Sequence, residues 1–245
     1  MKEVKTGLLI FLIYVALFAL LFFNFAGATP VGPDSTVIES NTTKATLNAT
    51  MINISGGRVL IFNVSSIIQD IRWKAMIGSV SGSFTLDDAG GSTVYDWDLA
   101  AIGGEVYATS NSSTITWSNL TCANVANLNS ENTKMSLTSS ADNLTATFNI
   151  SSGATHAEFF VATRNITVNT CPTLNTFVND SRQDVDFEEV ALYEYLGGNV
   201  VYASILEQDV SGYNNVSYDF QMIVPENGAS GWTGSTAYYL YVEIS

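Results

Sequence analysis

Asparagine is the residue type whose spacing most often indicates chemistry in this chain. Asn-x-Ser/Thr triplets without proline occur eleven times, whereas this content of Asn, Ser and Thr would give about four or five by chance. These triplets are acceptors for N-glycosylation in exported proteins. The alternative is that Asn and Thr occur together because turns and strand edges use both. The predicted acceptors are Asn41, Asn48, Asn53, Asn63, Asn111, Asn119, Asn143, Asn149, Asn165, Asn179 and Asn215.

The two cysteines, Cys122 and Cys171, predict one disulfide bond. An even number of cysteines in an oxidising compartment most simply forms bridges. In the chain-entropy model, closing a loop of about 50 residues stabilises the fold by about 4 kcal/mol. Two cysteines with one histidine fit neither a zinc finger nor a haem attachment motif. We therefore expect no metal site and no cofactor.

The single histidine, His156, gives little support for catalysis. It lies in the stretch Gly153-Ala154-Thr155-His156-Ala157, without the surroundings of a known nucleophile motif, and serine and aspartate are too common here to indicate a triad. The pattern favours a histidine in a surface loop. A glycosidase needs two carboxylates, and nothing in the sequence singles out a pair. The sequence predicts a protein that is not an enzyme and has no catalytic residue.

Two clusters of acidic residues offer oxygen ligands of the kind that calcium prefers. Neither cluster matches an EF-hand loop, and alternating acids commonly form the solvated face of a strand. A calcium-binding module stays open as an alternative. The clusters are Asp87, Asp88, Asp96 and Asp98 around one predicted hairpin, and Asp184, Asp186, Glu188 and Glu189 before a predicted strand.

Four tryptophans and 11 tyrosines could supply a platform on which sugar rings stack. Trp97 and Trp117 lie within strand patterns, so we expect them to pack inward, as large aromatic residues usually do. Trp73 lies in the segment Ser65 to Met76, whose pattern fits a helix or a strand, whereas Trp232 lies in the glycine-rich stretch from Gly228 to Gly234. Trp232 is therefore the predicted exposed aromatic residue of a carbohydrate-binding module.

The net charge of the chain limits the classes of partner that it is expected to bind. It has 23 acidic and 9 basic residues, for a net charge of -14, and no basic stripe. Because binding to phosphates requires clustered Lys and Arg, nucleic acid is not an expected partner. An acidic, self-repelling surface favours solubility outside a cell.

The N-terminus predicts export. Lys2 and Lys5 precede an apolar run from Leu8 to Phe23, and Ala26-Gly27-Ala28 has the small residues required before a signal-peptidase site. Residues 1–28 are predicted to be a signal peptide. Because the run is long enough to cross a bilayer of about 30 Å, an uncleaved membrane anchor is an alternative. A pilin-type cleavage at Lys5-Thr6-Gly7 is a third one. In each case the bulk is extracellular or at the cell surface, and contact with a membrane is limited to an uncleaved N-terminal segment.

The elements that would position these residues are predominantly strands. Residues 29–57 are rich in Thr, Asn and Ser and predict an extended spacer, in which Ala49 to Ile54 could instead pair with a neighbouring molecule as a donor strand. Residues 58–245 predict one extracellular domain of about a dozen short strands. The predicted strands are Arg58 to Val64, Gly82 to Leu86, Thr93 to Leu99, Glu105 to Thr109, Thr114 to Trp117, Asn143 to Ile150, Glu158 to Thr163, Asn165 to Val168, Phe187 to Tyr195, Asn199 to Leu206, Ser217 to Val224 and Ala237 to Ile244. The fold class is all-β, an antiparallel β-sandwich or irregular barrel, preceded by an N-terminal hydrophobic helix. Ser65 to Met76 is compatible with a helix or a strand.

Several stretches of the domain resemble an uncharacterised family of secreted, β-rich archaeal cell-surface proteins. The similar stretches include residues 73–82, residues 86–97, Gly104-Glu105-Val106-Tyr107-Ala108, Thr170-Cys171-Pro172, residues 205–208, residues 218–224 and residues 238–243. No activity is established for that family. The resemblance therefore implies a β protein exposed on the envelope and assigns no catalytic residue.

These observations predict a non-enzymatic extracellular glycoprotein with a structural or adhesive role in the envelope. Its expected partners are components of the envelope or cell surface, and self-association is a further option. Two alternatives stay open: a filament subunit, either pilin-like or joined by donor strands, and a β-module that binds carbohydrate or calcium.

Overall fold

The computed structural model describes residues 29–46, 48–97, 99, 101–148, 155–183 and 185–245. The predicted signal or anchor segment, residues 1–28, and the predicted acceptor Asn149 lie outside the described residues. No helix among the described residues is both long enough and apolar enough to cross a bilayer.

Strands dominate the described chain, with two short α-helices and one 3-10 helix among them. The helices are α1 (Val125–Lys134) and α2 (Leu144–Thr147), and the 3-10 helix is Trp117–Asn119. The strands are β1 (Trp73–Gly78), β2 (Phe84–Asp87), β3 (Thr93–Trp97), β4 (Gly104–Thr109), β5 (Leu120–Cys122), β6 (Phe159–Val161), β7 (Arg164–Ile166), β8 (Thr173–Asn175), β9 (Phe177–Val178), β10 (Ser181–Arg182), β11 (Glu188–Glu194), β12 (Asn199–Ile205), β13 (Val210–Ser211), β14 (Ser217–Tyr218), β15 (Phe220–Pro225) and β16 (Tyr239–Ile244).

The centre of the fold is a six-stranded antiparallel sheet. Its strands follow the order β16-β4-β12-β11, and both β5 and β8 pair with β11 at its far side. Strands β11 and β12 form a hairpin in which Val190 lies opposite Ala203 and Leu192 opposite Val201. Both strands have near-continuous apolar runs, which are typical of strands with no solvated face.

Both faces of this sheet are buried. On one face Val106, Ala191 and Tyr202 belong to a core cluster that also contains residues of α1 and α2. On the other face Tyr107 and Leu192 belong to a second cluster, which includes Trp117 and residues of β6 and β7. Because successive side chains of a strand point to opposite faces, the same strands supply both clusters.

The first face is covered by a small second sheet and the helices. In that sheet β1 pairs with β15 along its whole length, from Trp73 opposite Pro225 to Gly78 opposite Phe220. Helix α1 begins with a capping box in which Asn124 and Asn127 each accept a hydrogen bond from the other's backbone N–H. The capped N-terminus holds the helix over the sheet, since its first N–H groups have no partner within the helix.

The second face is covered by the β6–β7 hairpin and by the chain around Cys171. Cys122, at the end of β5, is bonded to Cys171, with Cα atoms 4.8 Å apart. Cys122 also lies opposite Leu192 in the sheet. The predicted Cys122–Cys171 disulfide is confirmed, and it joins the central sheet to its cover.

The prediction of a β-rich antiparallel fold is confirmed, and the described residues form no closed barrel. The helices were not predicted. A strand predicted over Asn143 to Ile150 is wrong in its described part, because Leu144–Thr147 is the helix α2. The Asn143 side chain accepts a hydrogen bond from the backbone N–H of Ala146, and this cap favours helix over strand.

The segment that precedes β1 also departs from the sequence prediction. Arg58 to Val64 was predicted to be the first strand, yet among the described residues it forms no ladder, and Ser65 to Ile71 contains neither helix nor strand. The first regular element begins at Trp73. The extended region therefore reaches beyond the predicted end of the spacer at residue 57. Near its start, Val31 forms an antiparallel bridge with Val242 of β16.

Candidate contact surface

The β2–β3 hairpin carries an apolar face that is open to solvent. Phe84 lies opposite Trp97, and Leu86 lies opposite Tyr95. Cross-strand partners and residues two apart share one face of a pleated pair, so these four side chains form one surface, which we call the aromatic face. Their exposed fractions range from 40% to 58%. The rings of Tyr95 and Trp97 are in edge contact, with centroids 4.8 Å apart.

The tip of this hairpin is fixed by Asp88. Its carboxylate accepts hydrogen bonds from the backbone N–H groups of Gly90, at 2.8 Å, and Ser92, at 2.9 Å. These backbone bonds, that from Ser92 first, lower the pKa of Asp88 below its usual value. Gly91 has a φ of 82°, a conformation that glycine adopts without strain. The turn therefore fixes the pairing of β2 with β3, whose register shifts between Leu86 and Asp87.

The tryptophans divide between the contact surface and the core. The prediction that Trp97 packs inward is wrong, because its side chain is 47% exposed on the aromatic face. The inward packing of Trp117 is confirmed: its ring centroid lies 5.1 Å from that of Tyr107 and 5.0 Å from that of Tyr241. Trp73 is half-buried and its indole donates a hydrogen bond to the Asp142 carbonyl. Trp232 is 44% exposed in its glycine-rich loop, as predicted.

The hairpin cluster of acids surrounds the contact surface. Asp87 and Asp96 lie on the strands, Asp88 lies at the turn, and Asp98 is outside the described residues. The side chain of Asp88 already accepts two backbone hydrogen bonds. Within the described ranges, no group of three acidic, cysteine or histidine side chains could hold a metal ion. Asp96 lies opposite Thr85, on the other face of the hairpin from the aromatic face, so the acids make the hairpin as a whole negative.

The second acidic cluster is not one site. Asp184 lies outside the described residues. Glu188 is buried and accepts a hydrogen bond from the Ala157 N–H at 2.8 Å. Glu189 is also buried and accepts one from the Ile223 N–H at 2.8 Å. Consecutive residues of a strand point to opposite faces, so each carboxylate ties a different cover to the central sheet.

His156 is buried, so the prediction of a surface-loop histidine is wrong. Its Nε2 accepts hydrogen bonds from the backbone N–H groups of Thr170, at 3.0 Å, and Cys171, at 3.1 Å. Its Nδ1 lies 2.7 Å from the Ala157 carbonyl and donates to it. Burial lowers the pKa of His156, which agrees with a neutral ring. The histidine orders the backbone beside the disulfide, and its hydrogen bonds account for its burial without a catalytic role.

A pair of buried carboxyl groups lies at the edge of the central sheet. Glu105 of β4 is directly opposite Glu243 of β16. The Tyr107 hydroxyl is 3.2 Å from Glu105 and 3.0 Å from Glu243, and the Ala162 N–H donates to both Glu243 oxygens at 3.0 Å. Burial and the Glu243 charge raise the pKa of Glu105 to about 8. Sequence reasoning missed this pair, because only strand register brings the two residues together.

Two shallow clefts have carboxylates that already serve the backbone. Glu194 lines a cleft of about 310 Å³ and accepts hydrogen bonds from the N–H groups of Leu196 and Gly197. Asp219 lines one of about 250 Å³ and accepts from the N–H groups of Val80 and Asp209. These bonds fix loops, and neither carboxylate is free to act on a bound molecule.

The predicted glycosylation acceptors lie at or near the surface wherever they are described. Asn111, Asn119 and Asn143 are half-buried. The side chain of Asn143 also accepts a hydrogen bond from the Ala146 N–H, which a glycan on Asn143 would have to accommodate. The fully exposed acceptors are Asn41, Asn48, Asn53, Asn63, Asn165, Asn179 and Asn215.

Proposed function

No family model matches this chain, and no curated protein or solved structure was found to be similar to it. We propose that the protein is a non-enzymatic, extracellular glycoprotein of the cell surface, with a structural or adhesive role in the envelope. The observation that carries the proposal is the aromatic face, an apolar surface that the β2–β3 hairpin exposes to solvent. Exposed apolar patches with a polar surround commonly mark contact sites.

Other features agree with the extracellular part of this proposal. A disulfide is typical of oxidising compartments, and the described acceptor asparagines are available for glycans. Export through the N-terminal segment and the resemblance to archaeal surface proteins belong to the same proposal. Its partners are envelope or surface components, and a membrane is contacted only through an uncleaved N-terminus.

Localisation and mass spectrometry of the native protein test the compartment. Immunogold labelling is expected at the cell surface, and intact mass with N-terminal sequencing is expected to show glycans and the position of any cleavage. A mature, unglycosylated pool in the cytoplasm would contradict the proposal.

The contact role is tested separately on whole cells. The double variant Tyr95→Ser, Trp97→Ser should lower cell adhesion or envelope integrity without changing protein abundance, since these side chains contribute little to the core. Val125→Ser, at an equally exposed apolar position on α1, is the matched control. Equal behaviour of the two variants would remove the aromatic face from the proposal.

Carbohydrate binding is a second candidate because Trp232 is exposed on a loop and aromatic rings stack on sugars. Glycan arrays with the wild type, Trp232→Ala and Trp97→Ala would separate the two surfaces. Binding that is lost only in Trp232→Ala would favour a lectin-like module. If the wild type binds no glycan on the array, this candidate function is removed.

A further inference from the structure

A second apolar surface of the chain lies in the extended region before β1. Arg58 to Val64, which we call the spacer strand, contains Val59, Leu60, Ile61 and Phe62, residues that favour strands. Val59 and Ile61 are 90% and 91% exposed. The spacer strand pairs with no other strand in the described part of the chain. It is thus a strand-forming sequence without a sheet.

The β2–β3 hairpin has the opposite property: it is a sheet of two strands, which is too small to be stable by itself. Among the described elements, β2 and β3 pair only with each other, and every residue of both is exposed. A two-stranded hairpin is marginally stable in water, whereas a third strand with an apolar face brings independent stability. The hairpin also leaves unpaired backbone groups along its outer edges, a template for strand addition.

The charges of the two surfaces are opposite. Residues 40–69 contain Lys44 and Arg58 and no acidic residue, whereas residues 84–97 contain Asp87, Asp88 and Asp96 and no basic residue. The chain as a whole has a net charge of -14, so most contacts between copies are repulsive. Contact between these two regions is attractive, and such complementarity selects the register and partner of an interface.

We propose that the spacer strand of one copy adds to an open edge of the β2–β3 hairpin of a second copy. Leu60 and Phe62 share one face of the spacer strand and extend the aromatic face beside Phe84 and Leu86. Among the described residues of a single chain no ladder joins the two surfaces, and both are exposed; in the proposed contact a second copy supplies the third strand. The inference names the partner for the contact surface and rests on the proposed structural role.

This contact is heterologous, because it joins two different patches. Each copy has one spacer strand to donate and one hairpin to accept, so the contact repeats from copy to copy. Such head-to-tail contacts produce a ring where the rotation closes and a filament where it does not.

Disulfide trapping between two variants tests the contact directly. In the proposed sheet, Ile61 and Thr85 lie on the face opposite Leu60 and Phe62. The native cysteines are bonded to each other, so an introduced thiol is the one free to react. A full chain carrying Ile61→Cys is mixed with a second full chain carrying Thr85→Cys, in nonionic detergent under mild oxidation. The mixture should give a covalent heterodimer in higher yield than the covalent homodimer that either variant gives alone.

The control replaces the donor position. Val37 is an exposed apolar residue of the same extended region, and Val37→Cys mixed with Thr85→Cys should give no such product. No heterodimer, or equal yields from Val37→Cys and Ile61→Cys, would overturn the proposal. A chain carrying both Ile61→Cys and Thr85→Cys that closes only on itself would overturn it too, since the spacer strand would then complete its own hairpin.

Sedimentation of the full chain gives an independent measurement. Phe62→Asp should raise the dissociation constant of self-association by about 10- to 100-fold, because it removes an aromatic side chain that the contact would bury and adds a negative charge next to an acidic hairpin. Val37→Asp adds the same charge and should leave the constant unchanged. A wild type that stays monomeric at high concentration would overturn the inference, whereas a cytoplasmic location would instead overturn the proposed function.

Discussion

The central sheet and the β2–β3 hairpin are both antiparallel, but they differ in what surrounds them. In the sheet, Leu192 of β11 has no solvent exposure, and side chains above and below belong to core clusters. In the hairpin, Leu86 of β2 is 54% exposed and its neighbours are as open. Burial on both faces makes the sheet a scaffold, and exposure on both faces makes the hairpin available for contact.

This difference separates stability from function in the chain. Residues of the central sheet should determine the free energy of unfolding, since apolar burial is the main favourable contribution to folding. Residues of the hairpin should determine what the protein contacts. A substitution that affected both properties equally would break this division.

The largest expected effect comes from the same substitution in the two regions. Leu192→Ala should lower the free energy of unfolding by about 2–5 kcal/mol, because it leaves a cavity in a closed core. Leu86→Ala should change it by less than about 0.5 kcal/mol, as an exposed position. Chemical denaturation of both variants measures the difference. Similar losses would show that the hairpin belongs to the core.

Removing the disulfide should have the second-largest effect on the free energy of unfolding. Cys122→Ala with Cys171→Ala should lower the free energy of unfolding by about 2–4 kcal/mol, since the unfolded chain regains the freedom of a loop spanning 49 residues. Thermal unfolding of this double variant and of the reduced wild type should agree. If the double variant still forms the contact between the spacer strand and the hairpin, the division between stability and contact is supported. Loss of that contact at temperatures where the sheet is folded would contradict the division.

The buried carboxyl pair predicts that the central sheet contributes a pH dependence to the free energy of unfolding. Glu105 has a pKa of about 8 in the folded protein against a reference value of 4.5. Between these values the unfolded state has lost the proton that the folded state keeps. The free energy of unfolding should therefore fall as the pH rises from about 4.5 to about 8, by about 1 kcal/mol per pH unit from this group.

The variant Glu105→Gln tests this assignment, because the amide cannot ionise. Its free energy of unfolding should depend less steeply on pH, and at pH 8 it should be no less stable than the wild type. Glu39→Gln, on the exposed extended region, provides the control and should retain the wild-type slope. An unchanged slope in Glu105→Gln would assign the effect to other buried carboxyl groups, such as Glu189, whose pKa burial also raises.

The smallest effect concerns the hairpin tip. Asp88→Ala removes the acceptor for the N–H groups of Gly90 and Ser92. We expect faster amide exchange at β2 and β3 and no change in the midpoint of global unfolding, because local opening of an exposed element is independent of the core. A shift of the global midpoint would couple the two regions.

The sequence predicted the elements whose local pattern determines them. Short β-rich runs between turn signals located β4, β11, β12 and β16, and the Gly-rich loop located the β2–β3 hairpin. The cysteine pair also followed from count and compartment. These features depend on neighbouring residues or on simple parity, so no knowledge of the tertiary arrangement was needed.

Features that depend on tertiary contacts were missed. A strand pattern shows that Trp97 and Trp117 alternate with polar residues, but not which face meets a core, so only Trp117 was assigned correctly. His156 looked like a loop residue because its partners, Thr170 and Cys171, are far along the chain. The Glu105–Glu243 pair arises from register between strands separated by most of the domain.

The bridge between Val31 and Val242 has a mechanical consequence. Tension on the chain ahead of Val31 is borne first by two backbone hydrogen bonds, of 3.0 Å and 2.8 Å. Once they break, the region between Val31 and β1 can be stretched before the force reaches any strand of the fold. At about 3.3 Å per residue, its roughly 40 residues have a contour length of about 130 Å, which is the upper limit on how far shear can displace the domain from Val31 while its strands remain folded.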